Sequence, residues 1–159
     1  MPHRYLQAVK HPNSHVQIFI DHHLKDAVLV SKEFGVPVSV ILAQSALETG
    51  WGSHVIDNAF FGVKGSSRSG KTTRFVTHEV INGKSHRLAT NFRGYSSYKQ
   101  AAREYAQVIR RNFADALPYK NDPIGFVEHL QRYATDPQYI AKLKSIIQHH
   151  NLHALDLNQ

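Results

Sequence analysis

Apolar positions follow two different spacings along the chain. Between Ser14 and Phe34, the residues Val16, Phe19, Ile20, Leu24, Ala27, Val28 and Phe34 recur at steps of three and four. That is the pattern of a helix with one buried face. Gly35 predicts its end, because glycine accepts the left-handed conformation that closes a helix. Pro37 suits the first turn of a second helix, in which Val38, Ile41, Leu42, Ser45 and Ala46 keep helical spacing until Gly50 and Gly52 stop it. Residues 58–73 are rich in Gly and Ser and predict mostly loop.

The period then changes. Phe75 to Val80 is a short run of strand-forming residues, and Asn82-Gly83 is a strong two-residue hairpin signal, since both types tolerate positive φ. A second strand from about Ser85 to Phe92 puts Glu79 opposite His86, on one sheet face with Phe75, Thr77 and Leu88. Helical spacing resumes with Tyr98, Ala101, Ala102, Tyr105, Val108 and Ile109, behind a Ser97–Gln100 capping box. Asp122-Pro123 and Asp136-Pro137 predict two further helix starts, each an acidic cap followed by proline. Residues 1–13 read as a loose N-terminal arm and 14–159 as a single domain. The order helices, small hairpin, helices gives an α+β class in which the hairpin is a lobe, not a central sheet.

Composition narrows the chemistry. The 159 residues carry no Cys, which excludes disulfides, thiolate nucleophiles and Cys-ligated metals. With 19 Lys+Arg against 12 Asp+Glu the formal charge is +7, which favours polyanionic partners: nucleic acid, an anionic membrane surface or an acidic cell wall. Met1-Pro2-His3-Arg4 opens no signal-peptide pattern, and no apolar run reaches membrane-spanning length. The adjacent pairs His22-His23 and His149-His150 make poor bidentate sites, because neighbours on a helix do not face each other, so no catalytic metal and no cofactor are expected. Glu33, Glu104 and Glu128 read as solvated helix faces, and Tyr98, Tyr105 and Tyr119 as core or groove edge.

Gly65 to Thr72 satisfies the G-x-x-x-x-G-K-[ST] phosphate-binding pattern. That pattern works only between a strand and a helix N-terminus, and here a strand follows it, so no nucleotide is expected there.

Two carboxylates carry chemical promise. Glu48 ends a helix whose preceding turns are almost all apolar or small. Desolvation and the negative helix end would raise its pKa, which suits a general acid. Gly50-Trp51-Gly52 follows it, and Trp51 offers a flat face for a sugar ring. Glu79 lies on the hairpin. A pair of carboxyls on separate lobes is the minimal apparatus for glycosidic hydrolysis.

Four ordered segments make the comparison specific: Leu42 to Gly52 around Glu48; Asn58-Ala59-Phe60-Phe61-Gly62-Val63-Lys64-Gly65; Thr77-His78-Glu79 with Asn82-Gly83 and Asn91 to Tyr98; and Tyr133 to Tyr139 with Lys142-Leu143. Together they resemble glycoside hydrolase family 73, the β-N-acetylglucosaminidases of peptidoglycan. The resemblance implies a lysozyme-like fold, mainly helical with a small β-hairpin lobe. It also implies cleavage of the β-1,4 bond after N-acetylglucosamine. By position it makes Glu48 the general acid and Glu79 the second carboxylate. Tyr133 then lines the cleft, Asn58 and Phe61 shape the groove, and Trp51 forms its floor. Glu79 acts as base in an inverting route, as nucleophile in a retaining one, or is secondary where the substrate N-acetyl oxygen attacks.

The resemblance implies peptidoglycan glycan strands as partner, not nucleic acid, and action in the periplasm or cell wall. Without a signal peptide, a specialised secretion system or phage lysis would deliver the enzyme, and an injected antibacterial effector would need a cognate immunity protein. The competing readings are a lytic transglycosylase or muramidase of related fold, and a non-catalytic wall-binding module.

Overall fold

The computed structural model describes residues 14–67 and 71–158. The expected arm over residues 1–13 lies outside the described residues.

Helix α1 runs His15–Phe34, with the Ser14 hydroxyl accepting the Gln17 N–H at 3.2 Å and Gly35 closing it at φ +77°. Helix α2, Val38–Thr49, is the centre of the molecule. The sequence pattern suggested one buried stripe, but every residue from Val38 to Ala46 is buried. The reason is that α1, the later helices and the C-terminal turn all pack around it. Its start has a proline and no side-chain cap of its own. The cap comes from far along the chain: Asp156 accepts the Ser39 N–H at 2.9 Å and the Ser39 hydroxyl at 2.5 Å. Burial raises the Asp156 carboxyl above its ordinary value, and the bonds from Ser39 oppose that rise.

The hairpin has the expected turn and register. Strands β1, Thr72–Ile81, and β2, Lys84–Arg93, pair antiparallel around Asn82-Gly83, with Glu79 opposite His86 and Thr77 opposite Leu88. Lys64 adds an isolated bridge to Phe92. Because Thr72 opens a strand, the segment after Lys71 offers no helix N-terminus to a phosphate.

Helix α3, Tyr98–Asn112, is capped as expected on one side, with the Ser97 hydroxyl accepting the Gln100 N–H. The reciprocal half of the capping box shifts by one residue, since Gln100 accepts from the Ser96 N–H and hydroxyl. A 3₁₀ turn, Ala114–Tyr119, leads to α4, Pro123–Glu128, where Asp122 caps the Gly125 N–H. Helix α5, Tyr139–His149, starts later than the sequence suggests. Asp136 accepts the Gln138 N–H and pairs with Lys142, so Asp136-Pro137 forms the turn before the helix and not its first residues. A second 3₁₀ turn, Leu152–Asn158, carries Asp156. Neither 3₁₀ turn was legible in the periodicity.

Glu104 corrects another expectation. It is buried and faces Arg93 at 3.9 Å, whereas Glu33 and Glu128 lie exposed beside Arg103 and Lys144. Tyr98 and Tyr105 belong to the core, and Tyr119 is exposed. Among the described residues no helix is long and apolar enough to cross a membrane.

Removing the distant cap should loosen the central helix. Asp156→Ala is expected to cost about 1–2 kcal/mol of stability, the usual range for a lost helix cap. Urea unfolding at neutral pH checks this.

Candidate active site

Glu48 sits in the last turn of α2 because the chain reverses directly after it. Gly50, Trp51 and Gly52 all take positive φ, and the Thr49 hydroxyl accepts the Gly52 N–H at 2.9 Å while donating to the Ser45 carbonyl. The glycines therefore serve the helix end. A side chain at Gly52 would also meet the Phe19 ring at 3.3 Å.

That turn aims Glu48 into a cleft of about 810 Å³ between the helices and the hairpin. Glu79, Tyr133, Thr135, Tyr139 and Lys64 share its walls. The structure thus brings Glu48, Glu79 and Tyr133 together. It does not bring Trp51, Asn58 or Phe61 to the same surface. Trp51, expected as the floor, packs edge-on against Phe19 and His150, with ring centres 5.6 and 4.9 Å away. Asn58, expected to shape the groove, takes φ +54° and donates its amide to the Tyr95 carbonyl at 3.0 Å. The Phe61 side chain is buried and stacks on Tyr105 at 4.3 Å.

The segment from Asn58 to Lys64 nonetheless organises the cleft through other atoms. The Phe61 carbonyl accepts the Tyr133 hydroxyl at 2.6 Å. Gly62, at φ +64°, lies against Glu48: a Cβ there would sit 2.6 Å from Glu48 Oε2. Only a glycine allows that backbone so near the carboxyl. Lys64 Nζ pairs with Glu79 Oε1 at 2.7 Å. Sequence reasoning marked this segment but missed the duties of Gly62 and Lys64, because both depend on residues distant along the chain.

The two carboxyls occupy opposite environments. The Glu48 side chain is exposed to the cleft, yet backbone crowds its carboxyl, with a Cβ at Gly62 falling 2.6 Å from Oε2. The surrounding protein sets the direction of its shift. Desolvation first, and then the nearby Glu79 charge, push its pKa up to about 7, while a hydrogen bond from Tyr139 opposes the rise. Glu79 moves the other way. Its bond to Lys64 and the Thr135 hydroxyl, which donates to Oε2 at 2.8 Å, hold its carboxyl below the usual range against a small desolvation effect. Near neutral pH one carboxyl can give a proton while the other stays ionised, the division of labour that acid–base chemistry on a glycosidic bond requires.

Thr135 also accepts the Val80 N–H at 3.1 Å, so it ties the hairpin to the segment before α5. Lys142, on the cleft rim, pairs with Asp136 at 2.6 Å. Among the described residues no group of three or more His, Asp or Glu is arranged to hold a metal ion. His23 instead stacks on Tyr98 at 4.0 Å, and burial lowers its pKa to about 4.

Known proteins with related sequences agree with this architecture. The family described as mannosyl-glycoprotein endo-beta-N-acetylglucosaminidase, the Glucosaminidase family, matches residues 24–152. The peptidoglycan hydrolase FlgJ of Salmonella typhimurium is 41% identical over 134 residues, covering 77% of this chain and 42% of the relative. A probable N-acetylmuramidase of Lactococcus lactis is 33% identical over 156 residues, covering 88% of this chain and 35% of the relative. The chain therefore spans well under half the length of these curated relatives. The crystal structure of a peptidoglycan hydrolase mutant from Sphingomonas sp. A1 superposes with a TM-score of 0.77 at 32% identity, covering 86% of this chain and 99% of that one.

The raised pKa of Glu48 has a consequence for stability. The folded protein holds the Glu48 proton above the pH at which the unfolded chain releases it. Stability is therefore lost as pH rises from the ordinary carboxyl value through about 7. Glu48→Gln removes that loss. Urea unfolding should find the variant more stable than the parent at pH 8, with the advantage shrinking towards pH 4.

Proposed function

The chain belongs to the Glucosaminidase family, glycoside hydrolase family 73, with the lysozyme-like fold of its solved members, and from that premise we propose that it hydrolyses the glycan strands of peptidoglycan. The specific bond we propose is the β-1,4 linkage after N-acetylglucosamine, cut by residues 14–159 acting as one catalytic domain. The observation that carries this reading is the pair of carboxyls in one cleft, one with its pKa raised and one with it lowered.

In the proposed mechanism Glu48 protonates the leaving glycosidic oxygen. Its pKa near 7 leaves it partly protonated at neutral pH, as a general acid requires. Glu79, ionised and tied to Lys64, steadies positive charge developing at the sugar ring or orients the attacking water. Its ion pair blunts it as a nucleophile, which favours a route using water or the substrate N-acetyl oxygen. Tyr133, anchored on the Phe61 carbonyl, presents an aromatic wall to the sugar. Trp51, Asn58 and Phe61 support this cleft from behind.

Action on peptidoglycan places the proposed site of work in the periplasm or cell wall. A narrower version of the proposal is an antibacterial effector whose cognate immunity protein plugs the open cleft in the producing cell. Expression directed to the periplasm should then lyse cells, cytoplasmic expression should not, and coexpression of a cleft-binding partner should relieve the lysis. Harmless periplasmic expression counts against that version.

Digestion of purified peptidoglycan, followed by mass spectrometry of the soluble products, tests the bond. Reducing-end N-acetylglucosamine is expected. Reducing-end muramic acid would identify a muramidase instead, and anhydro-muramic ends a lytic transglycosylase. Glu48→Gln should lower the rate by about 10²–10⁴-fold, the usual contribution of a general acid. Glu79→Gln should cost much less if the N-acetyl group performs the attack.

A further inference from the structure

A chain of buried hydrogen bonds lies behind the cleft. Gln44 is wholly buried, one turn before Glu48 on α2. The Tyr105 hydroxyl, from α3, donates to Gln44 Oε1. Gln44 Nε2 donates in turn to Tyr139 Oη, from α5, at 2.9 Å. Tyr139 and Glu48 line the same cleft, and the Tyr139 hydroxyl acts to lower the Glu48 pKa. The two bonds among Tyr105, Gln44 and Tyr139 have no water to compete with them, since all three side chains are buried.

The order of donors matters. A side-chain amide can present either its oxygen or its nitrogen, and which one faces a partner depends on what holds the other end. The Tyr105 O–H claims the oxygen, so the Gln44 N–H must face Tyr139. The Tyr139 oxygen then accepts, and its single proton is left to point at Glu48.

We propose that Gln44 is a positioning residue: locked by Tyr105, it fixes the direction of the Tyr139 hydroxyl proton and thereby holds the Glu48 carboxyl in its reactive orientation. This rests on the reading of Glu48 as the acid, and it assigns to a buried amide a part in the reaction that touches no substrate.

Other titratable groups line the same cleft. The segment after Glu48 contributes His54, the loop contributes Lys64, the hairpin contributes His78 and Glu79, and the C-terminal segment contributes Tyr133. Arg132, Asp136 and Lys142 line the outer rim, where Asp136 and Lys142 neutralise each other. Of these, Glu79 raises the Glu48 pKa, whereas the Tyr139 hydrogen bond lowers it. Disturbing Gln44 leaves the first effect intact and weakens the second. The midpoint of Glu48 must therefore move up.

The test uses two variants and two readouts. Gln44→Met keeps the volume but removes both hydrogen bonds. Tyr105→Phe removes only the lock, and the freed amide can turn its oxygen towards Tyr139 and draw the proton away from Glu48. The Glu48 midpoint is read directly by ¹³C carboxyl NMR, and the pH profile of kcat/KM is read on peptidoglycan. In Gln44→Met the midpoint and the alkaline limb are expected to rise together by about half a pH unit or more, since a hydrogen bond to a charged group is worth at least that much. We expect kcat to fall about tenfold with KM unchanged, the scale of a small misplacement of a reacting group. Tyr105→Phe moves the same quantities in the same direction by less, and it carries the test if Gln44→Met does not fold. A purely structural role would lower the melting temperature and leave the midpoint in place, so wild-type midpoints in the folded variants overturn the proposal. Full turnover in Glu48→Gln overturns the acid assignment instead, and the NMR titration still decides the arrangement around Gln44.

Discussion

Burial of helix α2 on all sides is the constraint from which the rest of the structure follows. A helix without a wet face has no solvent to satisfy its polar side chains, so each must find a partner inside the protein. Ser39 meets Asp156, Gln44 meets Tyr105 and Tyr139, Ser45 meets Tyr98 and its own helix carbonyls, and Thr49 meets the Ser45 carbonyl. These bonds tie α2 to α3, α5 and the final 3₁₀ turn, and hence fix where its last turn ends. Glu48 is the exception on that helix. It leaves the packed interior and opens into the cleft, and it inherits the rigidity of everything behind it.

The same constraint separates the two carboxyls. Glu48 stands on a rigid, largely apolar element, where charge is costly. Glu79 stands on a two-stranded hairpin, a marginal structure in isolation. It is held by Lys64 and Thr135, from segments on either side of the hairpin, and these partners keep it charged. The same Thr135 hydroxyl accepts the Val80 N–H, so the group that steadies the Glu79 charge also ties down the strand. Rigidity and electrostatics are therefore coupled: a hairpin that shifts loses partners for its carboxylate and changes the field at Glu48.

Much of this was legible in the sequence, for identifiable reasons. Local signals survived folding: Ser97 and Asp122 cap their helices, Gly35 and Gly50 end theirs, and Asn82-Gly83 sets the hairpin register. Glu48 and Glu79 stood out because a carboxyl after an apolar helix and one on a strand are separate, local anomalies. What escaped were relations between distant residues. Trp51 looked like a sugar platform because an exposed indole and a packed one read alike in sequence, and only its neighbours Phe19 and His150 distinguish them. Asn58 and Phe61 sit in an informative segment, but their backbone groups and core packing do the organising, not a groove-facing side chain. Glu104 follows helical spacing like Glu33, yet Arg93 across the hairpin base draws it inside. Asp156 gives no local sign that it caps a helix 117 residues away.

The overall charge takes on a different meaning once the cleft is mapped. The chain carries +7, yet the cleft itself is balanced: Glu48, Glu79 and Asp136 face Lys64, Arg132 and Lys142. Among the described residues the excess positive charge therefore lies outside the cleft. A balanced cleft suits uncharged sugar rings, which are held by shape, aromatic faces and hydrogen bonds, and it leaves the field at Glu48 to its near neighbours. The outer surface can then attract an acidic wall over distances of about a Debye length without disturbing that field. On the proposed reading, attraction and chemistry fall on separate parts of the molecule, the basic composition bearing on how peptidoglycan is approached and the buried network around α2 on the Glu48 carboxyl.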